Sequence, residues 1–338
     1  MEKNNYRDWL DLPVELMESI MQRIGWYDVL MGAKNVCKTW HKICKGLSEW
    51  QVIEIRQVRV SNNVQIGEEW GYLEKVSIFF GEHAIEIEFI CGINETVELK
   101  CGIEGVELGM KLAMHVIDLS SGELLDLCIH GFGCNHLLEF ISHRSSQLRR
   151  LRLQFCDVYS DDYSDDSFKP KPPRLHISNK GLIEMLRHLP LLEELQFPHT
   201  SIPTECIEVA GRCCPHLKSF TLNEKECYYW GRPLTNNAHA LAIVRNMPKL
   251  RHLQLFGNRM TDRGLKAILN HCHFLEYLDL RECYFLYDAL EEAKIPRNLR
   301  RRNLARELRQ KIKLVRFPLD STEDYEFKAE ISDFYDYW

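Results

Sequence analysis

The sequence contains no long apolar run. A helix needs about 20 consecutive apolar residues to cross a membrane, and no stretch of this 338-residue chain approaches that length. The opening residues, MEKNNYRDWLDLP, also lack the apolar segment of a secretory signal. We therefore expect no membrane association, reduced cysteines, and a location in the nucleus, the cytoplasm or both.

Motifs of several enzyme and metal-binding classes are also absent. There is no GxxxxGK(S/T) or GxGxxG phosphate loop and no GxSxG nucleophile elbow. The 13 cysteines include no CxxC pair, so zinc ribbons and ring-type sites lack their usual ligands. The nearest approaches to a metal cluster are Cys213-Cys214 with His216, and His271-Cys272-His273. We predict no catalytic residue, no metal and no cofactor.

Charge argues against nucleic acid as the general partner. The formal net charge is -6, which disfavours binding of the whole chain to a polyanion. Residues 297–338 nevertheless combine a basic segment with an acidic, aromatic tail. This pattern is typical of a solvated terminal helix followed by a partly disordered end. A nuclear-localisation patch and a clasp between the basic and acidic halves are the alternatives.

The N-terminal segment, residues 8–49, predicts three short helices. Leu16, Ile20 and Ile24 recur every four residues, which gives the first helix one apolar face. The apolar side of the third helix is formed by Val36, Trp40, Ile43 and Leu47. A module of about 40 residues is too small for a stable core of its own. Its apolar faces therefore either bind a partner or cap the core of the following residues, and the helical pattern alone does not decide between these.

An internal repeat follows the helices. The frame LxxLxL starts at six positions, which are 24, 44, 25, 33 and 25 residues apart: Leu124, Leu148, Leu192, Leu217, Leu250 and Leu275. Trp50, Ile53 and Ile55 fit the same frame and are a candidate first copy. One strand-and-helix unit cannot bury its apolar side alone, but stacked units share a core. We predict a solenoid over residues 50–296 whose strands line a concave face.

Two segments interrupt the repeat. Within residues 56–108, the stretches 76–80, 85–89 and 97–101 alternate like strands, which predicts a β insertion or a degenerate first repeat. Residues 157–175 combine aspartates with a Lys-Pro-Lys-Pro-Pro run and predict a flexible loop. Calcium binding there is disfavoured, because the glycine and terminal glutamate of a calcium loop are missing.

The N-terminal segment resembles an F-box. The matching positions are Leu12-Pro13, Glu15-Leu16, Ile20, Asp28-Val29-Leu30 and Val36-Cys37-Lys38-Thr39-Trp40. Met21 stands where the family usually has leucine, a swap that conserves volume, and Gly25-Trp26 replaces the usual helix end. The resemblance favours docking over capping. It implies a Skp-binding surface made of Leu12, Pro13, Leu16, Ile20, Leu30, Val36, Cys37 and Trp40.

The repeats resemble the cysteine-containing class of leucine-rich repeats. That class carries LxLxxC after the strand, a segment similar to ITDxGL at the helix, and CPxL before the next strand. The matches include Leu278-x-Leu280-x-x-Cys283, Met260-Thr261-Asp262-Arg263-Gly264-Leu265 and Cys214-Pro215-His216-Leu217. The resemblance implies that these cysteines and histidines are packing residues and not metal ligands.

Together the two parts resemble the plant F-box/LRR family of Skp-interacting proteins. The implied fold is α+β, a three-helix F-box followed by a curved α/β leucine-rich-repeat solenoid like that of ribonuclease inhibitor. The implied function is that of a non-catalytic adaptor in an SCF-type (Skp-cullin-F-box) ubiquitin ligase. Such an adaptor binds Skp, is linked through Skp to a cullin, and holds a protein substrate for ubiquitination and degradation. A repeat scaffold working outside any ligase is the alternative, and nucleic-acid association through the arginine-rich segment is a third hypothesis.

Strand positions that point away from the leucine core predict the substrate-binding face. Phe256 and Tyr277 are the expected anchors, because exposed aromatic residues often dominate binding energy. The full predicted set is Arg152, Gln154, Gln196, Asn223, His252, Gln254, Phe256, Tyr277, Asp279 and Arg281. Taken singly, each is better explained as a solvated strand residue, so the prediction concerns the set.

Overall fold

A computed structural model describes most of the chain. The described residues are 9, 12–24, 29, 32–45, 47–66, 69–80, 83–92, 110–111, 113–130, 133–154, 158–159, 177–198, 200, 202–223, 236–287 and 297–325. The chain divides into two compact units, an N-terminal unit (Met1–Leu127 with His143–Leu148) and a repeat unit (Cys128–Ser142 with Arg149–Trp338). No helix in the described residues is both long and apolar enough to span a membrane.

The N-terminal unit begins with helices α1 (Val14–Arg23) and α2 (Lys38–Lys45). Short 3-10 turns lie at Ala33–Asn35 and Ser48–Gln51. Helix α1 packs against α2, and the buried side chains are Met17 and Met21 on α1 with Ile43 and Cys44 on α2. The buried Trp50 closes this cluster, because its indole Nε1 donates a hydrogen bond of 2.8 Å to the Cys44 carbonyl.

An ion-pair cluster joins α2 to helix α3, which covers residues 113–119. Asp118 accepts hydrogen bonds from Lys45 Nζ and Arg144 Nη1, each at 2.6 Å. Burial raises the pKa of Asp118, but the hydrogen bond and charge of Lys45 and the charge of Arg144 outweigh it and leave the pKa lowered. The carboxylate therefore stays ionised and links three segments of the N-terminal unit.

Long antiparallel strands follow the helices. They are β1 (Val52–Ile66), β2 (Glu69–Phe80) and β3 (His83–Gly92), with Ile78 lying opposite Ile55 on β1 and Ile85 on β3. The strands predicted at 76–80 and 85–89 are therefore present, whereas 97–101 lies outside the described residues. The frame at Trp50 starts a strand in the position of a first copy, because the Leu125 N–H of the next frame donates to the Gln51 carbonyl at 2.8 Å, as between later repeats. This copy is degenerate, since its strand runs on to Ile66 and pairs antiparallel with β2, where a repeat strand would lead into a helix.

The repeat unit is built on short parallel strands. They are β4 (Asp126–His130), β5 (Arg150–Gln154), β8 (Glu194–Pro198), β9 (Ser219–Asn223), β10 (His252–Gln254), β11 (Tyr277–Asp279) and β12 (Leu314–Arg316), adjacent in that order. Strand β4 crosses the boundary between the units, and β6 (Val158–Tyr159) pairs separately with β7 (Ile177–Ser178). One buried residue of each strand lies beside a buried residue of the next strand. For example, Leu253 is in register with Phe220 on one side and Leu278 on the other.

Helices alternate with these strands. They are α4 (Asn135–Arg144), α5 (Asn179–Arg187), α6 (Thr204–Cys213), α7 (Ala238–Asn246), α8 (Asp262–His271) and α9 (Arg297–Lys311). Neighbouring helices from α5 to α8 pack against one another and bury apolar stripes such as Leu265, Ile268 and Leu269 on α8. The predicted α/β leucine-rich-repeat fold is confirmed, with an open parallel sheet and one helix returning the chain between most successive strands.

Side-chain amides tie consecutive repeats together. Asn237, just before α7, accepts hydrogen bonds from the backbone N–H groups of Thr261 (3.0 Å) and Gly264 (3.1 Å) at the start of α8. Asn135 accepts in the same way from Ser178 N–H (2.8 Å), before α5. The first N–H groups of a helix have no partner within it, so each asparagine satisfies donors of the following repeat.

The repeats extend past residue 296, so the predicted boundary of the repeat domain needs correction. Helix α9 is largely polar and lacks the repeat frame, but Leu308 and Ile312 at its end are buried. Strand β12 then adds to the sheet, with Val315 in register with Leu278. The described residues after β12 end at Tyr325, which is buried. Arg316 and Asp324 form an ion pair, as the clasp alternative predicted.

We expect Gly264→Ala to destabilise the repeat unit. An added Cβ would lie 2.6 Å from Asn237 Oδ1, closer than nonbonded atoms approach. Glycine to alanine in a helix normally stabilises by about 0.5–1 kcal/mol. Here we expect a loss of about 1–2 kcal/mol, measured by urea unfolding. The matched control is Arg263→Ala on the exposed side of the same helix, which should change stability by less than about 0.5 kcal/mol. A stabilised Gly264→Ala protein would contradict the close contact between Asn237 and the start of α8.

Candidate protein-interaction surfaces

Apolar side chains on the N-terminal helices remain exposed. Leu16 and Val36 are 54% and 61% exposed, Pro13 is exposed, and Leu12, Ile20, Cys37 and Trp40 are half-buried. Of the predicted Skp-binding residues, Leu30 lies outside the described part of the chain. Leu16 is exposed because α1 directs Met17 and Met21 into the interior and leaves Leu16 on the outside. None of the seven described residues of the set is buried.

Two further apolar residues belong to this surface, although the sequence motifs did not predict them. Trp9 is 58% exposed and meets the Trp40 ring edge-on, at 6.4 Å between centroids and an interplanar angle of 79°. Val14, at the start of α1, is also exposed. Trp9 lies before Leu12-Pro13, the first of the motif positions that resemble an F-box, so the predicted surface did not include it. We call the exposed set Trp9, Pro13, Val14, Leu16 and Val36, with Trp40 beside it, the docking patch.

The strand residues that alternate with the leucine core line up in two registered rows, and all of them except Leu314 are polar or aromatic. The first row runs Arg152, Gln196, Thr221, Gln254, Asp279 and Arg316, one residue from each of β5, β8, β9, β10, β11 and β12. The second runs Arg150, Glu194, Ser219, His252, Tyr277 and Leu314. Neighbouring members of a row are about 4.8 Å apart, the spacing of hydrogen-bonded strands.

A hollow of about 310 Å³ lies across the middle of these rows. It is lined by Glu194, Gln196, Ser219, Phe220, Thr221, His252, Leu253, Gln254 and Tyr277. Four predicted substrate-binding residues thus come together: Gln196, His252, Gln254 and Tyr277. Arg152 stands beside them and donates a 2.6 Å hydrogen bond to Gln196 Oε1. The hollow therefore offers amide, hydroxyl, imidazole and carboxylate groups over a partly apolar floor.

The other predicted residues, apart from the half-buried Arg152, are not exposed, so the expectation that they point outward was wrong. Their role in binding stays a prediction. Gln154, Asn223, Phe256 and Arg281 are buried, and each directly follows the last apolar position of its repeat frame. Alternation along a strand assigns such a residue to the outward face, but the parallel ladder ends here and the chain turns away. Asp279 is buried because Arg281 folds back over it, with its Nη2 donating to Asp279 Oδ2 at 2.7 Å.

The charges at this end of the sheet are held in place by one another. Tyr277 donates its hydroxyl to Asp279 Oδ2 at 3.2 Å, and burial together with the charge of Asp279 raises the pKa of Tyr277 to about 12. Burial lowers the pKa of Arg281, but the hydrogen bond and charge of Asp279 and the charge of Asp324 outweigh it and leave the pKa raised. Tyr277 is therefore a neutral donor and Arg281 a fixed cation.

The repeat cysteines are packing residues. Cys214 donates to the Leu189 carbonyl at 3.5 Å and Cys283 to the Leu255 carbonyl at 2.9 Å, so both thiols bridge adjacent repeats. Burial raises the pKa of the Cys206 and Cys214 thiols to about 12 and of Cys272 to about 11. Within the described ranges, no group of His, Cys, Asp or Glu has an arrangement that could hold a metal ion. The aspartates of 157–175 lie outside those ranges.

Comparison with known proteins places the chain in a family. A family model for the F-box domain matches residues 9–52, and one for the leucine-rich repeat matches residues 246–269. F-box protein SKIP19 of Arabidopsis thaliana is 32% identical over 341 residues, which cover 100% of this chain and 86% of SKIP19. The chain belongs to the plant F-box/LRR-repeat family.

Further relatives from the same plant agree with this F-box/LRR assignment. Putative F-box/LRR-repeat protein 9 is 32% identical over 284 residues, covering 84% of this chain and 91% of that protein. Putative F-box/LRR-repeat protein 21 is 30% identical over 336 residues, covering 96% and 86%. The family predicted from the two motifs is confirmed. Membership supports, in general terms, a non-catalytic SCF substrate adaptor that binds Skp.

Thiol labelling tests the packing role of the cysteines. We expect a water-soluble maleimide to modify the half-buried Cys37 of the F-box within minutes, and to leave Cys206, Cys214 and Cys272 unmodified in the native protein. Thiolate is the reactive form, and burial suppresses it at the repeat positions. Mass mapping of labelled peptides, with a urea-unfolded control that labels all cysteines, measures this. Native labelling of Cys214 as fast as Cys37 would contradict the buried thiol.

Proposed function

We propose that this F-box/LRR-repeat protein is the substrate-recognition subunit of an SCF-type ubiquitin ligase. The docking patch binds a Skp adaptor, and Skp links the chain to a cullin. The repeat strands hold a target protein, which is then ubiquitinated and degraded. We place this activity in the nucleus or the cytoplasm.

The exposed apolar surface of the F-box is the observation that carries the proposal. Trp9, Leu16 and Val36 are each more than half exposed, although burying such side chains contributes about 1.5–3 kcal/mol apiece. Exposed apolar patches mark interaction sites on soluble proteins, and at this surface Trp9 and Trp40 are in ring contact. The helices keep a separate buried set for their own packing, so the docking patch is available to a partner without unfolding.

The adaptor acts through proximity. No catalytic constellation is present in the sequence motifs, and the buried repeat thiols are poorly suited to carry ubiquitin because burial keeps them protonated. Holding a target near the charged ubiquitin carrier converts a bimolecular encounter into one governed by effective concentration. The bond-forming chemistry belongs to the partners in the complex.

We expect Leu16→Ala combined with Val36→Ala to weaken Skp binding at least tenfold. The pair removes five carbons from the docking patch, and each buried methylene contributes about 0.8 kcal/mol, against roughly 1.4 kcal/mol per factor of ten. Titration calorimetry with a purified plant Skp measures the affinity. Because both side chains are more than half exposed, the thermal midpoint should change little.

Val52→Ala is the matched control for the docking patch. Val52 lies on β1 in the same unit and is 48% exposed, but it is outside the patch. Its removal should leave Skp affinity unchanged. Full Skp affinity in the double variant, with folding intact, would refute the docking patch as the Skp site. No Skp binding by the unsubstituted chain would leave it as a repeat scaffold outside any ligase.

The hollow on the strands is expected to take part in target capture. His252→Ala with Gln254→Ala removes two groups that line it, and proteins stabilised by proteasome inhibition should then co-purify less with the full chain. The control pair is Lys266→Ala with His271→Ala on α8, both exposed and away from the strands. Quantitative mass spectrometry compares the captured proteins. An unchanged set would place target binding elsewhere.

A further inference from the structure

The last described residues of the chain run back over the repeat strands. Residues 317–325, here called the C-terminal strap, follow β12 and end at Tyr325, which is 3% exposed. They reach residues at the ends of three earlier strands: Asn223, the last residue of β9, Phe256, two residues after β10, and Arg281, two residues after β11. All these residues belong to the repeat unit.

Tyr325 occupies a seat formed by Asn223 and Phe256. Its ring stacks on Phe256 with centroids 4.0 Å apart and planes inclined by 12°. Its hydroxyl accepts a 2.8 Å hydrogen bond from Asn223 Nδ2. The Asn223 amide is oriented independently of the strap, because its Oδ1 accepts from the Phe256 N–H at 3.1 Å. The seat thus presents an aimed amide donor beside an aromatic ring.

Asp324 occupies a second seat, formed by Arg281. Nη1 of Arg281 donates to Asp324 Oδ1 at 2.6 Å and to the Ser321 carbonyl at 3.1 Å. The other side of the guanidinium is held by Asp279, through Nε at 3.1 Å and Nη2 at 2.7 Å. The Cζ atom of Arg281 lies 5.5 Å from the centroid of the Tyr325 ring, which is within the range of a cation–π interaction. The cation is therefore positioned by the repeats and turned toward the strap.

A role in covering the exposed edge of the last strand does not explain the position of the C-terminal strap. Covering the last strand requires contacts with β12 alone, yet Tyr325 reaches β9, three places away in the strand order β12-β11-β10-β9. Phe256 and Tyr325 form a buried apolar cluster of their own. An aromatic ring with an arginine and an amide beside it is the composition of a binding hot spot.

We propose that Asn223, Phe256 and Arg281 form a peptide-binding site for an acidic residue followed by tyrosine, occupied here by Asp324 and Tyr325 of the same chain. A target protein that carries such an acidic-aromatic segment binds by taking the place of the strap. That a target supplies the segment rests on the proposed adaptor function, whereas the peptide site itself does not.

Charge complementarity supports this occupant. The strap residues before the tyrosine are Asp320, Ser321, Thr322, Glu323 and Asp324, which carry three carboxylates. They meet Arg281 and Arg316, both of which pair with Asp324. A basic segment would leave the cation of Arg281 facing like charge and would lose the charge-assisted hydrogen bonds.

The test removes the Asp324 and Tyr325 side chains from the site and supplies the same residues in a separate peptide. The full chain carries Asp324→Ala and Tyr325→Ala, and the probe is a fluorescein-labelled peptide of residues 319–325, LDSTEDY, with a blocked C-terminus. Fluorescence anisotropy should show saturable binding to the variant, and binding at least tenfold weaker to the unsubstituted chain, whose own strap competes at high effective concentration. Peptides with Asp324→Asn or Tyr325→Phe should each bind the variant more weakly. The first loses the carboxylate charge that pairs with Arg281 and Arg316, and the second loses the hydroxyl that accepts from Asn223.

A scrambled peptide is the control, and circular dichroism checks that the variant is folded. Equal affinity for LDSTEDY and its scrambled form would overturn the proposal and leave the strap as a structural brace. A second measurement uses the unsubstituted chain, so it does not depend on the variant folding. Excess LDSTEDY should accelerate amide hydrogen exchange in residues 317–325, and no acceleration would also overturn the proposal.

Skp affinity of the same variant separates this inference from the proposed function. The docking patch lies in the N-terminal unit, so Asp324→Ala with Tyr325→Ala should leave Skp binding unchanged. Loss of peptide binding with Skp binding intact refutes the peptide site alone. Intact peptide binding in a chain that does not bind Skp refutes the adaptor role and keeps the peptide site.

Discussion

Burial shared between neighbouring strands is the constraint on which the repeat unit depends. A strand as short as β10, His252–Gln254, cannot bury Leu253 by itself. Leu253 is buried because Phe220 and Leu278 lie in register on either side. Each repeat therefore completes the core of the one before it. At the last repeat this completion comes from α9, β12 and the C-terminal strap, although α9 has none of the leucine frame.

The dependence of each repeat on its neighbour also determines the roles of several asparagines. Where the chain leaves a strand or enters a helix, its N–H groups have no partner in regular structure. Asn135, Asn223 and Asn237 each accept from such an N–H in the following repeat, those of Ser178, Phe256 and Thr261. These amides fix how successive repeats join. At Asn223 the same bond also aims the amide nitrogen at the C-terminal strap, so a structural contact orients a donor for recognition.

The N-terminal helices show how one apolar pattern can serve two surfaces. Met17 and Met21 are buried, while Leu16, one position before Met17, is mostly exposed. The helical period of the sequence indicates that α1 is amphipathic but does not define which edge of its apolar stripe is covered. Packing against α2 makes that choice, and it leaves the docking patch outside. The motif positions that resemble an F-box located most of this patch, but they begin at Leu12-Pro13 and so did not include Trp9.

Repetition in the sequence determined which residues form the strands and the core, because burial of Leu151, Leu195, Leu253 and Leu278 follows directly from their spacing. The repeats and the F-box motif together also determined the family. Only the tertiary structure decided which polar residues remain accessible. Alternation holds for Gln196 and Gln254, which are paired on both sides in the ladder, and fails for Asn223, Phe256 and Arg281, where the ladder ends. The contact between Asn223 and Tyr325 joins residues 102 positions apart, and a contact at that separation leaves no periodic trace in the local sequence.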